Sequence, residues 1–276
     1  MIQSFVSLVA SYLPLFSRLA YDPTYDLVLV IAYATALLAA IGSLIVIAPY
    51  GRFGVNSGID LNPRLGWWLM ELMATVSFVV SYPQGPNAFR PVPMLFAFLF
   101  LVHYANRGWY FPWSIRVAPG TKASFSLFVV LSGFFVTSLH GYLNAMWYSK
   151  YCTFLDWDWL TSPTCLFGLF LYEISFSSTI YSESIIRSLR DENATGPRYK
   201  IPRGFLFEYV TSPQYFTELL GFAGWAIMTW SPAGLFIFLI SAANLIPRAV
   251  GTHQWYHEKF KSEYPKERKI LIPFVW

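Results

Sequence analysis

The chain has 276 residues, of which 55% are hydrophobic, 20% aromatic and only 12% charged, with a formal net charge of +4. A soluble domain of this length carries about a quarter charged residues, so the balance excludes an ordinary soluble protein and points to a multi-pass membrane protein. Two cysteines, Cys152 and Cys165, exclude a multi-bridge disulfide framework and a four-cysteine zinc site, and leave open whether they pair.

The first twenty residues, "MIQSFVSLVASYLPLFSRLA", are apolar but lack a basic leading stretch, so a cleaved signal peptide is not expected. An interfacial amphipathic segment and an extra short span are both compatible with them. Residues 1–26 are therefore set apart from a single membrane domain over 27–276. Seven apolar stretches follow, at 27–49, 66–82, 93–106, 123–147, 163–186, 214–230 and 232–247. A helical span needs about 20 mostly apolar residues, and fewer near kinks. The last two stretches are parted by little more than Ser231-Pro232, which predicts a tight helical hairpin. Backbone polar groups in lipid must be satisfied within the segment, and no alternating barrel pattern is present. The expected fold class is all-α integral membrane, seven transmembrane helices with cytosolic loops capping a pocket.

Basic residues collect near 50–65, 107–122 and 187–213 and after 247, whereas the alternate connections hold essentially Arg90 and Lys150. The positive-inside rule puts the basic set and the C-terminus in the cytosol. The sequon at Asn193 then faces the cytosol and is expected to stay unmodified. No internal repeat or low-complexity tract interrupts this pattern.

Ionisable side chains inside spans cost about 2.5–3.5 kcal/mol each on insertion scales, so each one is a candidate functional group. Glu71 lies within "GWWLMELMATVSFVVSY", with no basic residue in its own span. A neutral carboxyl bonded between helices explains it, and so does a proton donor in an active site. Tyr104 closes "MLFAFLFLVHYANR", with Arg107 three residues on and on the same helix face. A boundary tyrosine usually belongs to the aromatic belt; beside a buried acid it can act as a general acid. Thr179, Glu183, Arg187 and Arg190 form a polar stripe at steps of four, four and three. Such a stripe is either a solvated helix end or a phosphate-binding face. Glu218 is a further carboxyl, four residues after Gln214, and Glu173 lies deeper, where a helix–helix hydrogen bond is the expected account. His140 and Asn144 are four apart, as packing polar groups or as ligands.

No G-x-G-x-x-G, G-x-x-x-x-G-K-[ST] or H-E-x-x-H motif is present. His253 and His257 stand at i,i+4, but no nearby cysteine or carboxylate set completes a metal site, so none is expected. A nucleotide held here would be gripped by arginines and aromatics among the helices.

The ending "PRAVGTHQWYHEKFKSEYPKERKILIPFVW" resembles the C-terminus of the steroid 5α-reductase family, in Arg248-Ala249, His253, Tyr256, Phe260, Tyr264-Pro265, Arg268-Lys269 and Ile272-Pro273-Phe274. "APYGRFG" is similar to the family's Tyr-Gly-Lys/Arg turn, "WWLMELMA" to its Trp-Phe-Leu-Gln-Glu-Leu segment, and "VHYANR" to its Val-His-Tyr-x-x-Arg. "YSESIIRSLR" and "YKIPRGFLFEYVTSPQYFTELL" resemble two further family segments, so the likeness runs from about position 50 to the end.

The resemblance implies a seven-span fold that encloses NADPH from the cytosolic side and a Δ4-3-oxosteroid within the membrane. It places Glu71 and Tyr104 on the family's catalytic glutamate and tyrosine. Tyr50, Arg52 and Arg107 fall on its cofactor side, as do Thr179, Glu183, Arg187 and Arg190. Tyr199, Lys200, Gln214 and Glu218 join them, with Arg248, His253 and Tyr256 from the last segment. The chain departs from the family at Glu183 (commonly Asp), Thr179 and Gln214 (often Asn), Lys200 (usually Arg) and Thr252 (often His). Lysine in place of arginine loses bidentate geometry. The expected reaction is NADPH-dependent reduction of the C4=C5 double bond to a 5α-3-oxosteroid, with the 3-oxo group polarised by Tyr104 and Glu71. Alternatives are a polyprenal or enoyl-thioester reductase, a methyltransferase of related core using S-adenosylmethionine, and a non-catalytic sterol-binding protein. A lipophilic steroid and membrane lipid are the expected partners; no nucleic acid and no obligate protein partner is called for. The host membrane, endoplasmic reticulum or bacterial inner membrane, stays open.

Overall fold

The structure is a computed structural model that describes residues 22–54, 59–116, 125–190 and 199–276. Most of the segment 1–26 and the sequon at Asn193 lie outside the described residues. A long helix stands at each of the seven apolar stretches. They are α1 Pro23–Ser43, α2 Pro63–Ser81, α3 Pro91–Tyr104, α4 Leu127–Met146, α5 Pro163–Ser188, α6 Pro213–Thr229 and α7 Pro232–Phe260. Six of them begin on a proline, whose fixed φ and missing N–H suit the first helical position. The residue before it often caps the helix: Asp22 accepts from Thr24 N–H and Tyr25 N–H, Asn62 from Arg64 N–H, Ser162 from Cys165 N–H and Ser231 from Gly234 N–H.

Three boundaries differ from the expected ones for physical reasons. The first helix starts at Pro23 rather than 27, because Asp22-Pro23 is itself a start signal. Helix α3 has only 14 residues and passes into a π-helical stretch, Ala105–Tyr110. Helix α7 runs 13 residues past 247, with Pro247 inside it. That proline forfeits one backbone hydrogen bond, yet the helix continues and carries Arg248, His253 and Tyr256 on a rigid element. The α6–α7 connection is the tight turn expected, with Trp230 in the left-handed region at φ 43°.

Four helical segments among the described residues are long and apolar enough to cross a membrane: Pro23–Ser43, Pro63–Gln84, Leu127–Tyr151 and Pro232–Glu263. Their outer faces are apolar where a soluble protein would be polar, with Leu38 68% and Phe128 73% exposed. Helices approach closely where side chains are small, as membrane packing requires. A Cβ on Gly168 would stand 2.8 Å from the Gly224 carbonyl oxygen, and one on Gly224 would stand 2.7 Å from that of Gly168. This seats α5 against α6. Between α2 and α4, Gly141 meets Ser77 and Ala74, and the Thr137 hydroxyl donates to the Met70 carbonyl at 2.7 Å.

The buried interior is aromatic, with Phe78, Phe100, Trp147, Tyr148 and Tyr172 almost fully enclosed. His140 and Asn144 belong to it as a packing network. The Asn144 carboxamide oxygen accepts from Tyr148 O–H at 2.7 Å and from Trp225 Nε1–H at 3.2 Å, and its Nδ2 donates to the His140 carbonyl at 2.9 Å. Glu173 is not bonded between helices as expected; it is exposed on α5, because its position falls on the outer face of that helix. Cys152 and Cys165 are both buried thiols, and no disulfide joins them. A two-residue antiparallel pair, Asp60–Leu61 with Phe125–Ser126, ties the loop after α1 to the start of α4.

Candidate active site

The π-helical stretch after Tyr104 turns Arg107 inward, and π-bulges of this kind often mark functional sites. Each side of its guanidinium faces a carboxylate from a different helix. Nε lies 3.4 Å from Glu71 on α2, Nη1 3.4 Å from Glu183 on α5 and Nη2 3.1 Å from Glu218 on α6. The same group lies over the rings of Trp67 and Phe111, at 4.9 and 5.5 Å from their centroids. Burial alone would lower the Arg107 pKa, but Glu218, Glu71 and Glu183 beside it hold it above that of an ordinary arginine. It is a fixed cation.

Glu71 and Tyr104 are buried behind this arginine, 6% and 3% exposed. Tyr104 stands within electrostatic reach of Glu71, Arg107 and Glu218. Its ring is wedged against Phe100, His103 and His140, with centroids at 4.8, 5.2 and 5.7 Å. The acid and the phenol thus come from separate helices, Glu71 in direct contact with Arg107 and Tyr104 close enough to feel both charges.

In front of Arg107 opens a cavity of about 490 Å³, within the roughly 300–1,000 Å³ range of small-molecule sites. Its lining holds Glu183, Glu218 and Gln214 beside Arg107, together with Arg52, Arg116, Arg187, Arg190 and Arg248. Tyr50, Trp67, Phe125 and Tyr199 supply flat faces between them. Most of these arginines are held. Arg52 lies over Trp255 and Tyr256 at 4.6 and 4.8 Å. Arg248 donates to the Ala48 carbonyl at 2.8 Å and lies 3.6 Å over the Tyr50 ring, whose hydroxyl accepts from Asn244. Arg187 donates to the Ser114 hydroxyl at 2.8 Å, while Arg116 and Arg190 each donate to the other's backbone carbonyl. Among the described residues, three polar atoms of the lining are buried without a hydrogen-bond partner: Arg52 Nη1, Arg248 Nε and Gln214 Oε1.

Other expected residues stand elsewhere. Thr179 donates to the Ser175 carbonyl and pairs with Thr217, and it lines a separate crevice of about 20 Å³ beside Glu183 and Glu218. Lys200 points to solvent. His253 bonds to the Thr211 hydroxyl, which also pairs with Tyr264, so it braces the tail against the loop before α6 instead of facing the cavity. Tyr256 is not in the cavity lining and meets it only through its ring contact with Arg52. Sequence reasoning missed Arg116 and Trp67 as lining residues; the signal for Arg116 was its place in the basic connection 107–122. Among the described residues no three His, Cys, Asp or Glu side chains are grouped to hold a metal ion.

Comparison with known proteins agrees with this architecture. A family model described as 3-oxo-5-alpha-steroid 4-dehydrogenase matches residues 123–276. The 3-oxo-5-alpha-steroid 4-dehydrogenase 1 of Rattus norvegicus is 39% identical over 245 residues, 87% of this chain and 91% of that protein. The steroid 5-alpha-reductase DET2 of Gossypium hirsutum is 36% identical over 262 residues, 94% of this chain and 100% of that protein. Its counterpart in Solanum lycopersicum is 34% identical over 251 residues, 90% and 94% respectively. Matches of this length and identity show that the chain belongs to the steroid 5-alpha-reductase family, a family of oxidoreductases of steroid metabolism.

Proposed function

We propose that the protein uses NADPH to reduce the C4=C5 double bond of Δ4-3-oxosteroids to 5α-3-oxosteroids, from a seven-span bundle with its C-terminus in the cytosol. The observation that carries this reading is the position of Arg107, which faces the cavity carboxylates Glu183 and Glu218 and also the buried Glu71. A dinucleotide fits the cavity's chemistry. Arginines suit pyrophosphate and a 2′-phosphate, flat aromatic walls suit its rings, and the unpartnered Arg52, Arg248 and Gln214 atoms call for a polar ligand. Arg52, Arg187, Arg190 and Arg248 would hold the phosphates, and Glu218, Gln214 and Arg107 the nicotinamide end.

Held by these residues, NADPH would supply a hydride to carbon 5 of the enone. Negative charge then develops on the 3-oxo oxygen, and a proton must reach carbon 4 to complete the saturated ketone. Tyr104 donates its O–H toward that oxygen, where a preorganised donor in a water-poor site is most effective. Glu71 orients the phenol, and Arg107 fixes Glu71. The enclosing helices exclude water and suit an apolar ring system.

The test is turnover of purified protein with NADPH and testosterone or progesterone, with the product's configuration at carbon 5 determined. Loss of the enone with 5α configuration supports the assignment. An untouched steroid beside a reduced polyprenal moves the activity to a lipid reductase of the same superfamily.

A further inference from the structure

Two bulky aromatics, Phe205 and Phe274, are held in the left-handed backbone region, at φ 51° and 66°. L-residues with large side chains rarely adopt it, and doing so costs free energy. Both nevertheless keep much of their surface open, being 40% and 74% exposed. The Phe205 ring meets Tyr181 of α5 edge-on at 5.0 Å, and the Phe274 ring packs on Tyr209 at 4.9 Å. Val275 and Trp276 beside them are 73% and 41% exposed.

This surface is built. Leu271 N–H and Ile272 N–H both donate to the Trp276 carbonyl oxygen, at 2.8 and 2.7 Å, which folds the tail back on itself. A backbone bridge from Val210 to Lys269 fastens the tail beside Tyr209. The surface also continues an existing apolar face. Phe167, Phe170, Ile174 and Tyr181 follow one another at steps of three, four and seven on the exposed side of α5. Glu173, on that side too, is its exception. At 1.5 Å per residue, Tyr181 lies about 21 Å along the axis from Phe167, at the end of the face where membrane proteins carry their aromatic belts. Arg203 and Glu208 are paired next to the aromatics, so their charges largely cancel.

We propose that Tyr181, Phe205, Tyr209, Phe274, Val275 and Trp276 form one interfacial anchor, lying in the boundary between headgroups and acyl chains of the bilayer that the helices cross. Its partner is a lipid surface, and the contact is apolar and aromatic rather than electrostatic. The strained backbone at both phenylalanines is compensated by burying their rings in that boundary. The anchor fixes the depth of the C-terminal segment and of the Phe205–Glu208 turn. The inference rests on the chain being membrane-embedded and is independent of the reaction proposed above.

The test uses the full chain with Cys152→Ala and Cys165→Ala, reconstituted in nanodiscs of neutral phosphatidylcholine. A nitroxide label is placed through Phe274→Cys or Phe205→Cys, with Phe170→Cys as the lipid control and Lys259→Cys as the aqueous control. Power saturation then compares collisions with oxygen and with a water-soluble nickel chelate. Labels at 274 and 205 are expected to favour oxygen, ranking between the two controls. A label at 274 as open to nickel as that at 259 overturns the proposal. Protection from both reagents with spin–spin broadening between molecules also overturns it, assigning the patch to a second copy. A nickel-accessible Phe170→Cys control would instead refute the membrane placement itself. Val275→Cys repeats the measurement without altering either strained residue.

Discussion

Arg107 carries one positive charge and faces three carboxylates, so removing it leaves Glu71, Glu183 and Glu218 without their shared partner. Breaking a buried ion pair from one side costs about 3–5 kcal/mol. Arg107→Gln is therefore expected to lower thermal stability in detergent by that order, while Arg107→Lys keeps the charge but cannot face three acids at once. Equal melting of wild type and Arg107→Gln would remove the hub from the account. Glu71 and Tyr104 do not line the open cavity, so their loss should spare cofactor binding. Glu71→Gln and Tyr104→Phe should each lower kcat by about 10²–10⁴-fold, the usual scale for a positioned acid or base, with an unchanged dissociation constant for NADPH. The acid, the phenol and the arginine were legible because each is costly in a span or sits at a telling spacing. That all three acids converge on Arg107 was not legible. Convergence depends on the rotation of α2, α5 and α6 about their axes, and on a π-helical turn that the residues Ala105–Tyr110 do not announce.

At the scale of the elements, the Gly168–Gly224 contact sets the distance between α5 and α6, and hence between Glu183 and Glu218. A Cβ at position 224 would stand 2.6 Å from Tyr172 N and 2.7 Å from the Gly168 oxygen, both backbone atoms that cannot yield. A Cβ at Gly221, by contrast, would meet the Ser175 Cβ at an ordinary 3.6 Å. Gly224→Ala is thus expected to destabilise by about 1–3 kcal/mol and to weaken cofactor binding, and Gly221→Ala to do neither. Equal thermal shifts in the two variants would refute this reading of the interface. The start of α1 provides a separate, pH-dependent test. Asp22 titrates at about 2 instead of 3.8, held down first by the Tyr25 N–H and then by the Tyr151 hydroxyl, with Lys150 adding to it at 3.3 Å. A folded pKa below the unfolded one means its contribution is whole above about pH 4 and is lost as pH falls through about 2. Amide-exchange protection at Tyr25 should fall over that window and be flat in Asp22→Asn. The helices themselves were readable from their apolar runs, although "YDP", "LNP", "TSP" and "WSP" mark their starts more closely than those runs do. The extent of α7 was not, since Pro247 reads as a stop. Only the packing around it lets the helix run on to Phe260.

Over the whole molecule, the decisive feature is how charge is distributed along the cavity. Its two carboxylates, Glu183 and Glu218, are engaged by Arg107, while Arg52, Arg116, Arg187, Arg190 and Arg248 add positive charge to the lining. A ligand that carries phosphates is attracted by that excess of positive charge before any specific contact forms, because a low-dielectric wall focuses the field. A dinucleotide satisfies it when its phosphates meet these arginines and not Glu183 and Glu218. Arg52 has the clearest part in this, since it stacks on Trp255 and Tyr256 and its Nη1 has no partner among the described residues. Arg52→Gln should weaken NADPH binding by about 10-fold or more, the scale of one charge-assisted hydrogen bond. It should also flatten the dependence of affinity on salt, because one fewer screened charge takes part. If Arg52 contacts the 2′-phosphate, NADH loses much less affinity in the same variant and the preference between the coenzymes shrinks. If it contacts the pyrophosphate, both weaken alike. Titration of the two reduced coenzymes into detergent-purified protein at two salt concentrations separates these outcomes. An affinity unchanged for both would mean that Arg52 takes no part in holding the ligand.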